Sequence, residues 1–399
     1  MKKSIKIYSF FIFILFLLSM EIWLGWGGRK TTMLTIFGGG ALLVKIIYNI
    51  RFSFSRRNIV LVLLFYTAFL YILNGGVAQI FTQIPSQLIP IICIVCIADE
   101  YKEQIMHYIT KWYARLLVLS LLLYITTSLF AIPGLGYLDF YSQSQSDFGY
   151  DTYINYLFYV KNINITRFNG PFLEPGYVGM IGAFLLFANR FDLKKKDNKI
   201  ILLSVFLSMS LAGWMLAFIG YMLNLFYVGR IKISRLVFSL ILIASFILIG
   251  HSYNGGENVI NERVMSRLEY DKDKGFSGNN RNSEAIRLLA IGIWASDTDI
   301  LLYGYPHKTF QQYNDYELIG SGFDHFLVHN GLLGVLLVFS FYIYTTSTAK
   351  DKKFAILFLV FILFSFWQRC YALWLSWIIC FYYSSVIADK TKYFKYKQL

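Results

Sequence analysis

Long apolar runs alternate along the chain with short polar stretches, and the runs have the length of membrane spans. They fall at 7–24, 31–50, 59–75, 82–98, 113–132, 173–190, 200–211, 212–228, 233–251, 326–346, 354–367 and 370–388. A hydrocarbon core about 30 Å thick takes roughly 20 helical residues. The pattern therefore predicts an all-α polytopic membrane protein, one membrane domain over 1–399 with about twelve transmembrane helices. The stretch Ile200 to Tyr227 is ambiguous by length, because its 28 residues make about 42 Å of helix. Its flanks resolve it. Lys194, Lys195, Lys196 and Lys199 precede it, and Arg230, Lys232 and Arg235 follow. Basic residues collect on the cytoplasmic side, so both flanks belong on one side and the segment reads as two short helices turning near Ser208 to Gly213.

Composition agrees. Of 399 residues, 57% are hydrophobic and 15% charged, against roughly 45–50% and 25% in soluble domains, which excludes a soluble enzyme. The net charge of +14 follows topology instead of marking a nucleic-acid surface. With both termini cytoplasmic, the inner segments (1–6, 51–58, 99–112, 190–199, 229–235, 347–353, 389–399) carry 23 Lys and Arg against 7 acidic residues, the outer side carries 12 against 16, and Lys45 and Arg115 lie within or at the edge of spans. The first run starts basic but has no small-residue cleavage site, so it reads as a retained helix. Cys93, Cys96, Cys370 and Cys380 lie in or beside apolar runs and read as small hydrophobes. Gly38, Gly39 and Gly40 sit mid-span as a packing notch, with no strand or Lys-Ser pair to make a phosphate loop.

Two long segments, 133–172 and 252–325, then face outward, and the candidate chemistry lies in and beside them. The first ends in RFNGPFLEPGYVG, residues 167 to 179. Pro175 suits a first helical turn, which puts Glu174 at the cap; there it serves the helix dipole, or orients an arginine or a sugar hydroxyl. In the second segment Ile286, Leu289, Ala290, Ile293 and Trp294 recur with helical period, predicting an amphipathic helix near 281–295. Gly278 to Arg281 at its start offers backbone N–H groups and a guanidinium to an anion. Arg287 either joins that site or pairs with Glu284 one turn away. His325 and His329 stand one turn apart on one face. With no HExxH glutamate and no third ligand, they do not read as a metal site; His329, about a turn inside an apolar helix, reads as the best general base. Tyrosines such as Tyr137, Tyr153, Tyr303 and Tyr305 serve as interfacial anchors or stack on sugars.

RFNGPFLEPGYVG before a span, GNNR (278–281) in the large outer loop, YGY (303–305) after its helix and HNGLLG (329–334) entering a late span together resemble the Wzy-type O-antigen and capsular polysaccharide polymerases. The O-antigen ligases belong to the same superfamily. The resemblance covers the whole chain in architecture and about 50 residues in motif. It implies a fold similar to membrane glycosyltransferases of the C type. The implied activity joins undecaprenyl-pyrophosphate-linked oligosaccharide repeats on the outer leaflet of the bacterial cytoplasmic membrane, without cofactor or metal. It further implies that Arg167, Arg281 and Arg287 hold the donor pyrophosphate and that His329 or Glu174 activates the acceptor. Membrane lipid, a chain-length regulator and a flippase would be partners, and nucleic acid would not. Transfer to a different acceptor by a ligase uses the same parts. A lipid-linked oligosaccharide transporter or a membrane scaffold are readings of another class, against which stand the absence of an internal repeat and the external Arg/His cluster. A reporter fused near Gly255 is expected to read as external; cytoplasmic reporter activity would reverse the orientation.

Overall fold

The computed structural model describes residues 2–20, 22–25, 29–73, 81, 83–142, 149–163, 167–229, 248, 252–253, 270–271, 275–276, 283–310 and 322–387. The chain is mostly helical. In order come α1 (Lys3–Leu18), α2 (Arg29–Ile47), α3 (Arg56–Leu73), α4 (Ile84–Cys96), α5 (Asp99–Leu129), α6 (Pro175–Ala188), α7 (Lys196–Leu207) and α8 (Leu211–Val228). Then follow α9 (Glu284–Gly292), α10 (Thr298–Tyr303), α11 (His307–Phe310), α12 (Phe323–Ser347), α13 (Lys352–Gln368) and α14 (Leu375–Val386). Among the described residues, α2, α3, α5, α8 and α12 are long and apolar enough to cross a membrane, the mark of a helical membrane protein. Each apolar run foreseen above coincides with a helix except 233–251, which, Leu248 apart, lies outside the described residues.

Local chemistry explains the boundaries. The stretch 200–227 is two helices: α7 stops at Leu207, Met209 turns through a left-handed conformation (φ 45°), and Ser210 caps α8 by accepting from Gly213 N. Helix α4 opens with a wide turn, Ile84–Leu88, just before Pro90, whose missing N–H and bulky ring disturb the regular ladder. The first long loop departs from an all-α fold. Strands β1 (Gly136–Ser142), β2 (Gly149–Asn155) and β3 (Val160–Asn162) form an antiparallel sheet in which Gly136 pairs with Asn155 and Tyr153 with Asn162. Its segments are rich in Tyr, Ile and Thr, residues that suit a pleated, half-buried surface. Main-chain anchors fix it to the bundle: Lys161 Nζ donates to Thr127 O at 3.0 Å, Trp23 Nε1 to Leu157 O at 2.8 Å and Val160 N to Gly170 O at 2.8 Å. A second pair, β4 (Tyr270–Asp271) with β5 (Gly275–Phe276), lies in the second loop.

At the centre, all 14 residues of α6 and all 12 of α14 are buried. Phe184 and Phe187 of α6 pack on Phe358 and Phe361 of α13, and Phe184 stacks on Trp377 of α14 at 4.5 Å. Helix α8 meets α6 backbone to backbone. A Cβ built on Gly213 would lie 2.5 Å from Gly179 Cα, the close approach that small residues permit between membrane helices. Gly38 and Gly40 also serve packing, against Pro90 and Phe11, while a Cβ at Gly39 meets open space.

Among the described residues, the basic segments 51–58, 99–112, 190–199 and 347–353 share one end of the bundle. Lys350 pairs with Asp99 at 3.1 Å, Arg190 with Asp351 at 3.3 Å, and Phe52 forms an antiparallel bridge with Ile97. The opposite end holds the three-stranded sheet, the entry to α6 and the α13–α14 turn. There Ile22 bridges to Phe172 and Ser376 N donates to Ser19 Oγ at 3.0 Å. Gly213→Ala is expected to lower the unfolding midpoint in detergent, at an overpacking cost of about 1–3 kcal/mol. Gly39→Ala should leave it unchanged or raise it; equal effects of the two would refute the contact as a determinant of packing.

Candidate functional site

Glu174 is the residue before the first turn of α6. Its side chain makes no cap hydrogen bond to the helix; its carboxylate instead pairs with Arg369, in the turn between α13 and α14. Arg369 is only 2% exposed and Glu174 35%, so the guanidinium is enclosed and the carboxylate lies on the outer side of the pair. Gly176 makes room: a Cβ there would lie 3.1 Å from Arg369 Nη2. Aromatic rings surround the guanidinium. Tyr177 and Tyr371 lie 5.3 and 5.6 Å from it, and Tyr371 Oη accepts from Nη1 at 3.2 Å. Trp374 stacks on Tyr371 at 3.8 Å, and Lys30 Nζ lies 5.2 Å over Trp374. Burial opposes the charge on Arg369, but Glu174, Tyr371 and Tyr177 outweigh it and raise its pKa above the ordinary value. The entry to α6 thus has a fixed cation, an aromatic wall and a carboxylate.

Arg167 lies at the same mouth of α6 and holds the α7–α8 turn. Its Nε donates to Ser208 O at 3.1 Å and its Nη2 to Met209 O at 2.7 Å, securing the turn that carries the left-handed Met209. That turn packs on α6, where a Cβ on Gly179 would meet Ser208 Oγ at 3.1 Å.

A second group forms where α12 breaks. Gly331 has φ 59° and ψ −172° inside the helix, a conformation open mainly to glycine. The break frees Val328 O to accept from Tyr305 N at 2.9 Å. Gly304 (φ 86°) seats the YGY segment in the gap; a Cβ there would lie 2.7 Å from the His329 carbonyl carbon, and one on Gly331 would collide with Leu302 O. YGY and HNGLLG are therefore one structural unit. The His329 ring stacks on Phe310 at 4.3 Å and faces His325 at 4.4 Å. The first turn of α12 adjoins the Arg369 turn, since Cys370 Sγ donates to Gly322 O at 2.9 Å and Phe323 stacks on Trp367 at 5.3 Å.

The amphipathic helix starts later than its sequence suggests. Ser283 is the cap, accepting from Ile286 N at 3.3 Å, and α9 runs from Glu284. Arg281 and the GNNR motif lie outside the described residues. Ile286, Ala290 and Ile293 are buried as expected, with Val328 and Phe310 beside the first two. Trp294 corrects the expected inner face: a 3-10 turn at Ile293–Ala295 replaces the last helical turn and leaves Trp294 60% exposed. Arg287 is half-buried on α9.

Arg369, Lys30, Tyr371 and Trp374 are additions of the structure. The one sequence signal was a charge at Arg369 in a turn too short to need it for topology. No family model, curated protein or solved structure matches this chain. Glu174→Ala strands the Arg369 charge and is expected to lower stability in detergent by about 3 kcal/mol, the low end for a broken buried pair because the carboxylate is partly exposed. Adding Arg369→Leu should recover part of that loss; strictly additive losses in the double variant would refute the coupling.

Proposed function

We propose that this chain is a glycosyltransferase that polymerises undecaprenyl-pyrophosphate-linked oligosaccharide repeats at the α6 mouth, facing the outside of a bacterial cytoplasmic membrane with both termini inside. The observation that carries the reading is Arg369, a buried guanidinium fixed by Glu174 and walled by Tyr177, Tyr371 and Trp374. A cation oriented in advance stabilises charge as it develops on a leaving pyrophosphate, without reorganisation at the moment of reaction. Aromatic faces beside it suit sugar rings. Arg167, Arg281 and Arg287 add positive charge for the donor.

In the reaction the acceptor hydroxyl oxygen bonds to the donor's anomeric carbon while that carbon's bond to the phosphate oxygen breaks. The electron pair leaves with the lipid pyrophosphate, and a base takes the hydroxyl proton. Glu174 is engaged with Arg369; His329, placed beside the helix break at Gly331, is the better base. Transfer would invert the anomeric centre, with no metal or cofactor. The donor and acceptor are both lipid-linked, and a chain-length regulator and flippase would act beside the enzyme.

Purified protein given only lipid-linked repeats is expected to yield a ladder of longer glycans. His329→Ala should slow it by about 10²–10⁴-fold, and Arg281→Ala should stop elongation while the protein stays in the membrane. A single transfer to an added lipid A core, cell-wall or protein acceptor, with no ladder, would make it a ligase. Transbilayer movement with no new glycosidic bond would make it a transporter.

A further inference from the structure

The end of the bundle remote from Arg369 contains a cavity of about 260 Å³ lined by Arg51, Ser53, Ser55, Arg57, Asp99 and Glu100, among others. Its floor is a short antiparallel contact. Ser53 N donates to Cys96 O at 2.7 Å and Ala98 N to Arg51 O at 3.1 Å, which draws the N-termini of α3 and α5 to one hollow. Helix α5 begins after Ala98, a residue with no capping side chain, so the first-turn N–H groups and the positive end of the helix dipole face that space.

The decisive residue is Arg57. Its Nε and Nη2 are buried and meet no hydrogen-bond partner among the described residues; the guanidinium instead lies 5.3 Å from the Tyr382 ring. Lys102, fully buried, lies 4.2 Å from the same ring. The carboxylates here are already engaged. Asp99 pairs with Lys102 at 2.8 Å and with Lys350 at 3.1 Å, and Glu100 hydrogen-bonds Tyr101. Arg51 and Arg57 line the cavity with Asp99 and Glu100, while Lys102 and Lys350, outside the lining, take up the Asp99 carboxylate. The buried Nε and Nη2 of Arg57 are stabilised when an anion accepts from them.

We propose that this cavity binds a phosphate ester anion between Arg51 and Arg57, with the Ser53 and Ser55 hydroxyls as further donors. Guanidinium pairs and helix N-termini are the groups that recognise phosphate oxygens. The ester is either the headgroup of an anionic lipid or a soluble phosphate. Helix α3 is itself a candidate span, so its first turn would enter the bilayer among lipid phosphates, and basic pockets between spans take such headgroups. The site is separate from the α6 mouth and does not depend on the reading of that mouth.

Thermal unfolding of the full chain in a neutral detergent tests it, with dioctanoyl phosphatidic acid, inorganic phosphate, dioctanoylglycerol, or sodium chloride at matched ionic strength. Phosphatidic acid is expected to raise the midpoint progressively with concentration, and dioctanoylglycerol and chloride are not. A rise with phosphatidic acid but not inorganic phosphate assigns a lipid headgroup; a rise with both assigns a phosphate site open to soluble esters. Either rise should need about tenfold more ligand in Arg57→Gln and in Arg51→Gln. No rise with either phosphate, or equal ligand dependence in wild type and Arg51→Gln, overturns the proposal. Arg51 is exposed, so that variant decides the matter even should Arg57→Gln misfold.

Discussion

Helices α6 and α14 are enclosed along their whole lengths, and that enclosure sets what the surrounding helices can be. A helix that touches only protein can be shorter than a bilayer and can end beside a charge, because neighbouring side chains satisfy what lipid cannot. The long helices α2, α3, α5, α8 and α12 have at most half of each apolar stretch buried, the composition of an outer ring around a protein-lined centre. The Gly179–Gly213 approach lets α8 close against α6, and the Phe184–Phe187 cluster fills the other side. Glu174 therefore lies at the end of one of the two most completely buried helices of the molecule.

Buried cations occur at both ends and are treated differently. Arg369 has a carboxylate, a phenol and two ring faces, and its charge is locked in place. Lys102 has Asp99 and the Tyr382 hydroxyl, at 2.8 and 2.9 Å, whereas Arg57 beside it meets the Tyr382 ring with Nε and Nη2 unbonded among the described residues. The same residue type thus serves two purposes. Arg369 keeps its Nε buried and unbonded but holds a carboxylate, whereas Arg57 has two buried nitrogens without a hydrogen-bond partner among the described residues, which leaves it open to an outside acceptor.

Much of the scaffold was legible because membrane spans follow a simple rule of length and polarity. The turn at Ser208–Ser210 was legible from flanking charge alone, and of the basic segments placed together by that rule, the described 99–112, 190–199 and 347–353 meet through Lys350–Asp99 and Arg190–Asp351. Glu174 was legible as a cap position with an arginine partner in view, but not which arginine. Arg369 is 195 residues away, and nothing local connects them. The sheet at 136–162 was hidden because its Tyr-rich strands have no clean alternation and their pairing is a tertiary property. Trp294 fitted a helical period that stopped one turn earlier, where a 3-10 turn changed the facing of every later side chain.

The break in α12 could not be read from periodicity either, yet it explains why YGY and HNGLLG belong together. An uninterrupted helix would bond Val328 O internally and leave no gap for Gly304. With Gly331 turned to positive φ, that carbonyl accepts from Tyr305, and the two glycines admit each other's backbone where any side chain would collide. Each glycine is thus the condition for the other. The His329 main chain lies inside this contact, with its ring against Phe310 and His325. Its position is consequently set by backbone geometry, so a base at 329 would be held in register by two loops distant in sequence and locked by one shared notch.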